Sequence, residues 1–70
     1  MAMTYAYNFA EIDPETNMCI CVDSGTNPNL PGENWVAIPV NDPEYLFKYY
    51  INGSWYEDAA GTIPWQSSLL

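Results

Sequence analysis

The sequence predicts a mainly β fold: a small antiparallel β (or α+β) single domain with two hairpins and one short helical turn. Three observations carry that expectation. The stretch "TYAYNFAEI" alternates large and small side chains with the period of a strand. Asn52-Gly53 lies between two aromatic runs, and a type I′ hairpin turn asks for such a pair because both central residues need positive φ. Pro, Gly, Asn and Asp punctuate the chain at short intervals, which favours turns over a long helix.

The elements follow in order. In residues 4–12, Tyr5, Tyr7 and Phe9 fall on one side and Ala6, Asn8, Ala10 and Ile12 on the other. "DPETN" at 13–17 reads as a turn, with Pro14 fixing its own backbone and Asp13 and Asn17 suited to turn positions. "MCICV" at 18–22 reads as a second strand, paired to the first as a hairpin. Residues 23–34, "DSGTNPNLPGEN", have no periodicity and read as a loop long enough to be mobile or functional.

"WVAIPV" at 35–40 reads as a third strand, with Trp35, Ala37 and Pro39 opposed to Val36, Ile38 and Val40. Pro39 has no N–H for a ladder, so this strand is expected at an edge or to end there. "NDPEYLF" at 41–47 reads as one helical turn: Asn41 or Asp42 caps it, Pro43 suits its first position and Glu44 its positive end. "KYYINGSWYED" at 48–58 is the second hairpin, with Tyr50 and Trp55 or Ile51 and Ser54 as cross-strand neighbours according to register. The tail, 61–70, opens on a Gly turn and ends apolar; it is expected to dock on the domain's own core or on a partner.

Residues 1–70 make one domain at most. A core this small is marginal alone, so oligomerisation is an option from size. Nine acids stand against a single base, Lys48, for a net charge of −8 with no His and no Arg. That balance argues for no nucleic acid and no membrane as partners, since little here can neutralise phosphate or anionic lipid. It suits a basic partner, or a protein kept apart from its own copies at long range.

Apolar residues at 49% and aromatics at 16% exceed what a disordered acidic chain carries. No apolar run approaches the roughly 20 residues of a membrane span. The start, "MAMTYAYNFAEID", has no basic region followed by an apolar stretch, so no leader is expected and synthesis should take place in the cytoplasm.

Cys19 and Cys21 are expected as reduced thiols on one face of a strand. Residues two apart there lie roughly 6.5–7 Å apart, at or beyond the reach of a disulfide. A zinc site needs two more soft ligands, which the chain does not hold. Asp13, Glu15 and Asn17 mimic the start of a calcium loop, but Met18 and Ser24 stand where that loop needs Gly and Glu; a solvated hairpin turn is the preferred reading. Asn52-Gly53-Ser54 matches a glycosylation sequon, yet it is also the hairpin turn, which is preferred.

No enzyme is expected. Without His there is no Ser-His or Cys-His pair, nothing resembles a phosphate loop, and Cys21 has no cationic neighbour in sequence to activate it. No cofactor is implied. Eleven aromatics exceed what one small core needs. Part of them is expected to face outward, and Tyr49, Trp55, Tyr56, Ile63, Trp65, Leu69 and Leu70 are the candidate partner-binding residues.

The run "YNFAEIDPETNMCICV", followed by "AIPV", "DPEYLFKYY" and "NGSWYED", resembles small tail-fibre-associated or virion accessory proteins of tailed bacteriophages. The resemblance spans about residues 5–58. It departs at Phe47-Lys48, where a Leu-Gly pair is frequent, and at the long "SGTNPNLPGENW" loop. It implies a virion structural protein made in the host cytoplasm and lodged in the virion. Other virion proteins would be its partners, and it would be a homo-oligomer or multi-copy on a larger assembly. It brings no catalytic residues. Two further expectations stand beside it: an acidic phage-encoded inhibitor of a host nucleic-acid-binding defence protein, and a carbohydrate-binding module with an exposed aromatic platform.

Overall fold

Among the described residues, five short strands and one 3-10 turn form in the order the residue patterns lay down. The computed structural model describes residues 7–70; Tyr5 and Ala6, assigned from sequence to the first strand, lie outside the described residues. Strands β1 (Tyr7–Ile12), β2 (Cys19–Gly25) and β3 (Trp35–Ile38) make an antiparallel sheet in the order β2-β1-β3. Strands β4 (Tyr49–Ile51) and β5 (Ser54–Tyr56) make the second hairpin. The mainly β expectation holds.

The alternation in β1 sorts its side chains as its period dictates. Ala10 and Ile12 enter the main core with Cys19, Ile38 and Tyr45, while Phe9 is buried on the opposite face. The turn after β1 closes through hydrogen bonds in which the Asp13 N–H donates to the Met18 carbonyl and the Asn17 N–H to the Asp13 carbonyl. Asn17 takes a left-handed φ of 65°, a conformation Asn tolerates better than most residues. The Asp13 carboxylate accepts the Glu15 N–H at 2.9 Å, the local bond that makes Asp a turn residue rather than a ligand here.

Strand β2 corrects two expectations. It runs on through Asp23, Ser24 and Gly25, which pair with Phe9, Asn8 and Tyr7, so the loop is 26–34 rather than 23–34. The Ser24 hydroxyl donates to Asn8 Oδ1 at 2.7 Å across the strands, and that tie offsets the weak strand propensity of Ser and Asp. Cys19 and Cys21 also do not share a face. Glu11 pairs with Cys21 but Ile12 with Cys19, so the register slips and Ile20 is the extra residue of a β-bulge. Directly paired residues share a face; Cys19 therefore sides with Ile12 in the core and Cys21 with Glu11 on the other side. Both thiols are free.

Strand β3 lies at the sheet edge and ends at Ile38, just before Pro39, as the missing proline N–H requires. Asp42 caps the 3-10 turn Pro43–Tyr45 by accepting the Glu44 N–H at 2.9 Å. That turn delivers Tyr45, 2% exposed, to the centre of the core.

The hairpin has the geometry the turn dipeptide dictates, with φ of 50° at Asn52 and 83° at Gly53. Both candidate cross-strand pairs, Tyr50–Trp55 and Ile51–Ser54, occur in one ladder, with Tyr49 opposite Tyr56. The two sheets meet along a backbone seam. Cys19 N–H donates to the Lys48 carbonyl, Phe47 N–H to the Cys19 carbonyl and Tyr50 N–H to the Asn17 carbonyl, all at 2.8–2.9 Å. Phe47 takes a left-handed φ of 70° to reach that seam and leaves its ring 68% exposed.

Candidate functional site

Beyond the hairpin the chain turns back and lies along the outer edge of β5. The Glu57 N–H donates to the Ile63 carbonyl and the Trp65 N–H to the Trp55 carbonyl, with Tyr56 opposite Pro64 between them. Pro64 occupies the position that donates nothing in this ladder, so its missing N–H is no loss. Gly61 makes the return possible. Its φ is 71°, and a Cβ there would sit 3.2 Å from Ile51 Cδ1, so both conformation and space favour glycine.

Two carboxylates hold the returning chain. Asp58 accepts the Thr62 N–H and the Ile63 N–H at 2.9 Å, and also the Thr62 hydroxyl. These bonds, the Thr62 side chain first, hold the Asp58 carboxyl below the ordinary aspartate range. Asp42, buried at 3% exposure, accepts the hydroxyl of equally buried Ser67. The same carboxylate therefore caps the 3-10 turn and fastens the tail, the paired state a buried charge requires.

The tail carries Trp65 onto Tyr45. Their ring centroids are 4.8 Å apart at 82°, and Trp55 meets Tyr45 from another side at 4.8 Å and 67°. Trp55 and Trp65 stand 6.4 Å apart at 73°, and Tyr50 leans on Trp55 at 5.0 Å. Such tilted contacts are the favoured ones, each worth about 0.5–1.5 kcal/mol beyond area burial. Burial foremost, and then the charge of Asp42, raise the Tyr45 phenol above its ordinary value, so it stays a neutral hydroxyl.

An open cleft of about 370 Å³ lies over these rings, with Tyr45, Trp55, Trp65, Pro39, Pro64 and Leu70 as its apolar walls and Ser54, Gln66 and Ser67 as polar ones. Its volume falls in the range of recognition sites, and the apolar walls with a few polar groups match their usual make-up. The sole base, Lys48, stands beside it. Its ammonium lies 5.3 Å from the centroid of the Trp65 ring and 3.7 Å from Glu57, a cation–π contact and a surface ion pair.

The candidate residues read from sequence divide three ways. Trp55 and Trp65 are half-buried against Tyr45 and line the cleft. Tyr49 and Tyr56 face each other across the hairpin, both half-buried. Ile63, Leu69 and Leu70 remain 52%, 61% and 59% exposed although the tail around them is tied down; Leu70 alone of these three lines the cleft. Tyr45, Pro39 and Ser67 were not singled out from sequence. The turn that carries Tyr45 was read at Asp42-Pro43 without marking the tyrosine itself, and nothing local to Ser67 pointed to Asp42, 25 residues away.

Among the described residues no three of His, Cys, Asp and Glu gather as a metal site, and no helix is long and apolar enough to cross a membrane. Burial foremost raises the Cys19 thiol above its ordinary value, which lowers its thiolate fraction and so its reactivity. What the arrangement offers is an open, mostly apolar cleft with a few polar groups in its wall. No protein-family model, no curated protein and no solved structure matches this chain.

Proposed function

We propose that this protein is a non-enzymatic virion accessory protein that docks on other virion proteins through apolar and aromatic surface. The observation that carries the reading is the tail. It is fastened by Asp58 and Asp42, yet it holds Ile63, Leu69 and Leu70 in solvent. Ordering a segment costs conformational entropy, and large apolar side chains fixed outward beside an aromatic cleft mark an interaction surface. The resemblance of residues 5–58 to fibre-associated phage proteins supports placing that surface in a virion.

The two rival readings have less support. A sugar-binding platform needs flat, shared aromatic faces, but the two Trp rings are tilted by 73° to each other. An inhibitor that imitates a phosphate array needs its acids free and aligned, but Asp42 is buried and Asp58 caps the tail.

The test replaces Ile63 and Leu69 with Ser in the phage genome; both are exposed and neither lines the cleft. Each buries apolar area worth roughly 1.5–3 kcal/mol if it docks. The variant protein should therefore stay folded by circular dichroism but fall more than about tenfold in purified particles. Incorporation at the wild-type level would overturn docking through the tail.

A further inference from the structure

We propose that the outer edge of β2 takes an added β-strand from a partner protein, one that carries Lys or Arg opposite Asp23. This surface lies beyond the tail and does not depend on docking through it. Successive residues of an antiparallel strand turn their N–H and C=O groups to alternate sides. The Ile12 N–H donates to the Asn34 carbonyl at 2.7 Å, so Ile12, Ala10 and Asn8 bond on the β3 side of β1. Glu11, Phe9 and Tyr7 therefore bond on the other side, to Cys21, Asp23 and Gly25. Val22 lies between these inward-bonded residues and turns both of its backbone groups out. Among the described residues nothing accepts from the Val22 N–H, and the Val22 carbonyl meets only the Cys21 thiol, at 4.0 Å.

The neighbouring stretches are closed. The seam with residues 47–50 covers β2 as far as Cys19. On the far side of the sheet the edge of β3 is blunted: the Trp35 N–H donates to the Gly32 carbonyl at 3.4 Å, and Pro39 has no N–H to give. What stays open is the run from Ile20 to Ser24. Unpaired donors and acceptors at strand spacing are met by another extended main chain, the mode in which a peptide adds a strand to a sheet.

Side chains along the run select among such strands. Asp23 is exposed, and its carboxylate accepts the Ser24 N–H at 2.8 Å. Across an added strand Asp23 belongs to a non-hydrogen-bonded pair, where Cα atoms come within about 4.5 Å and side chains lie closest. Glu11 shares that face one strand further in, opposite Cys21. An edge carboxylate turns acidic strands away and favours a cation directly opposite. A second copy would bring its own net charge of −8 to this edge, so charge opposes self-pairing. At the other end Ile20 and Phe47 are 46% and 68% exposed. The Phe47 N–H bonds the Cys19 carbonyl, so its outward ring stands where the open run begins and suits an apolar residue of the added strand.

The experiment follows backbone amides of the full chain by NMR. The probe is acetyl-Thr-Val-Lys-Val-Thr-Val-amide, which in antiparallel register sets Lys opposite Asp23 and its last Val opposite Ile20. Two controls carry Glu in place of Lys, or an N-methyl group on the Val that follows Lys. In the free protein the Val22 amide should exchange at least about tenfold faster than those of Cys21 and Asp23. The probe should slow Val22 exchange, shift the Val22 and Asp23 signals and saturate below about 1 mM. Both controls should bind at least about tenfold more weakly. Asp23→Asn keeps an oxygen for the Ser24 N–H and should weaken the probe at least about threefold. The Ile63/Leu69 variant should bind the probe as the wild type does, so failure here and failure of docking through the tail are told apart. Slow Val22 exchange in the free protein, no binding of the probe, or equal binding of either control would overturn the assignment. Protection of Val22 that grows with protein concentration in the absence of peptide would make the occupant a second copy and overturn it too.

Discussion

In the three-stranded sheet, Ala10, Ile12, Cys19 and Ile38 are buried among strands whose ladders flank β1 along its whole length on one side and from Asn8 to Glu11 on the other. In the hairpin and tail, Trp55 and Trp65 stay half-exposed around one buried tyrosine, and two side-chain carboxylates reinforce a short backbone ladder. The two regions share a core but close it differently. Aliphatic side chains between paired strands leave no room for a ligand. Large rings set on edge cannot be fully covered by seventy residues, and the surface left over is the cleft. Here the part of its core that a small chain cannot cover becomes an open apolar cleft.

The contrast can be broken most severely at Tyr45, the residue both regions contact. Tyr45→Ala should cost about 3–5 kcal/mol, the whole stability expected of a domain this size, and urea denaturation should find the variant largely unfolded. Ile38→Ala, on the sheet side, should cost less. If Ile38→Ala proves the more damaging, the core's weight lies in the sheet and the aromatic cluster is secondary.

A smaller change sharpens the contrast from the seam. Phe47 holds a left-handed φ with its ring in solvent. Phe47→Gly relieves about 1–2 kcal/mol of backbone strain against about 0.5–1 kcal/mol of added chain entropy in the unfolded state. The net gain should be about 0.5–1 kcal/mol in the same denaturation measurement. A loss instead would show that the Phe47 ring contributes packing that its exposure conceals.

The smallest and most local effect comes from acid. The folded Asp58 has a depressed pKa, so its contribution is complete above the ordinary aspartate value of about 3.9 and declines as pH falls through the lower folded value. Below about pH 4 the amides of Ile63 and Trp65 should lose hydrogen-exchange protection before that of Ala10 does. Simultaneous loss would mean that the tail and the sheet open as one unit.

Much of this was legible in residue order where a single residue type has a single structural use. Asn52-Gly53 set the hairpin, Pro39 the end of β3, and Asp42-Pro43 the start of the 3-10 turn. What could not be read depended on partners far away in sequence. The slip at Ile20 reversed the facing of Cys21, and nothing in "MCICV" announces a bulge. Ser24 and Gly25 looked like loop because their reason for being strand is the facing edge of β1. The cleft was half legible: Trp55 and Trp65 stood out by type, while Tyr45 beneath them and the Asp42–Ser67 tie did not.

The seam between the sheets also sets an order of events in folding. The β4–β5 hairpin closes on a two-residue turn and needs only its own neighbours, so it belongs to the microsecond class of steps. Residues 17–19 must instead find 47–50, some thirty positions along the chain, and such distant closures slow folding. Until that meeting, residues 17–19, at the start of β2, present unpaired backbone groups to any passing strand. The nascent domain is therefore more prone to aggregate after β2 has formed and before the chain has supplied residues 47–50 to cover that stretch.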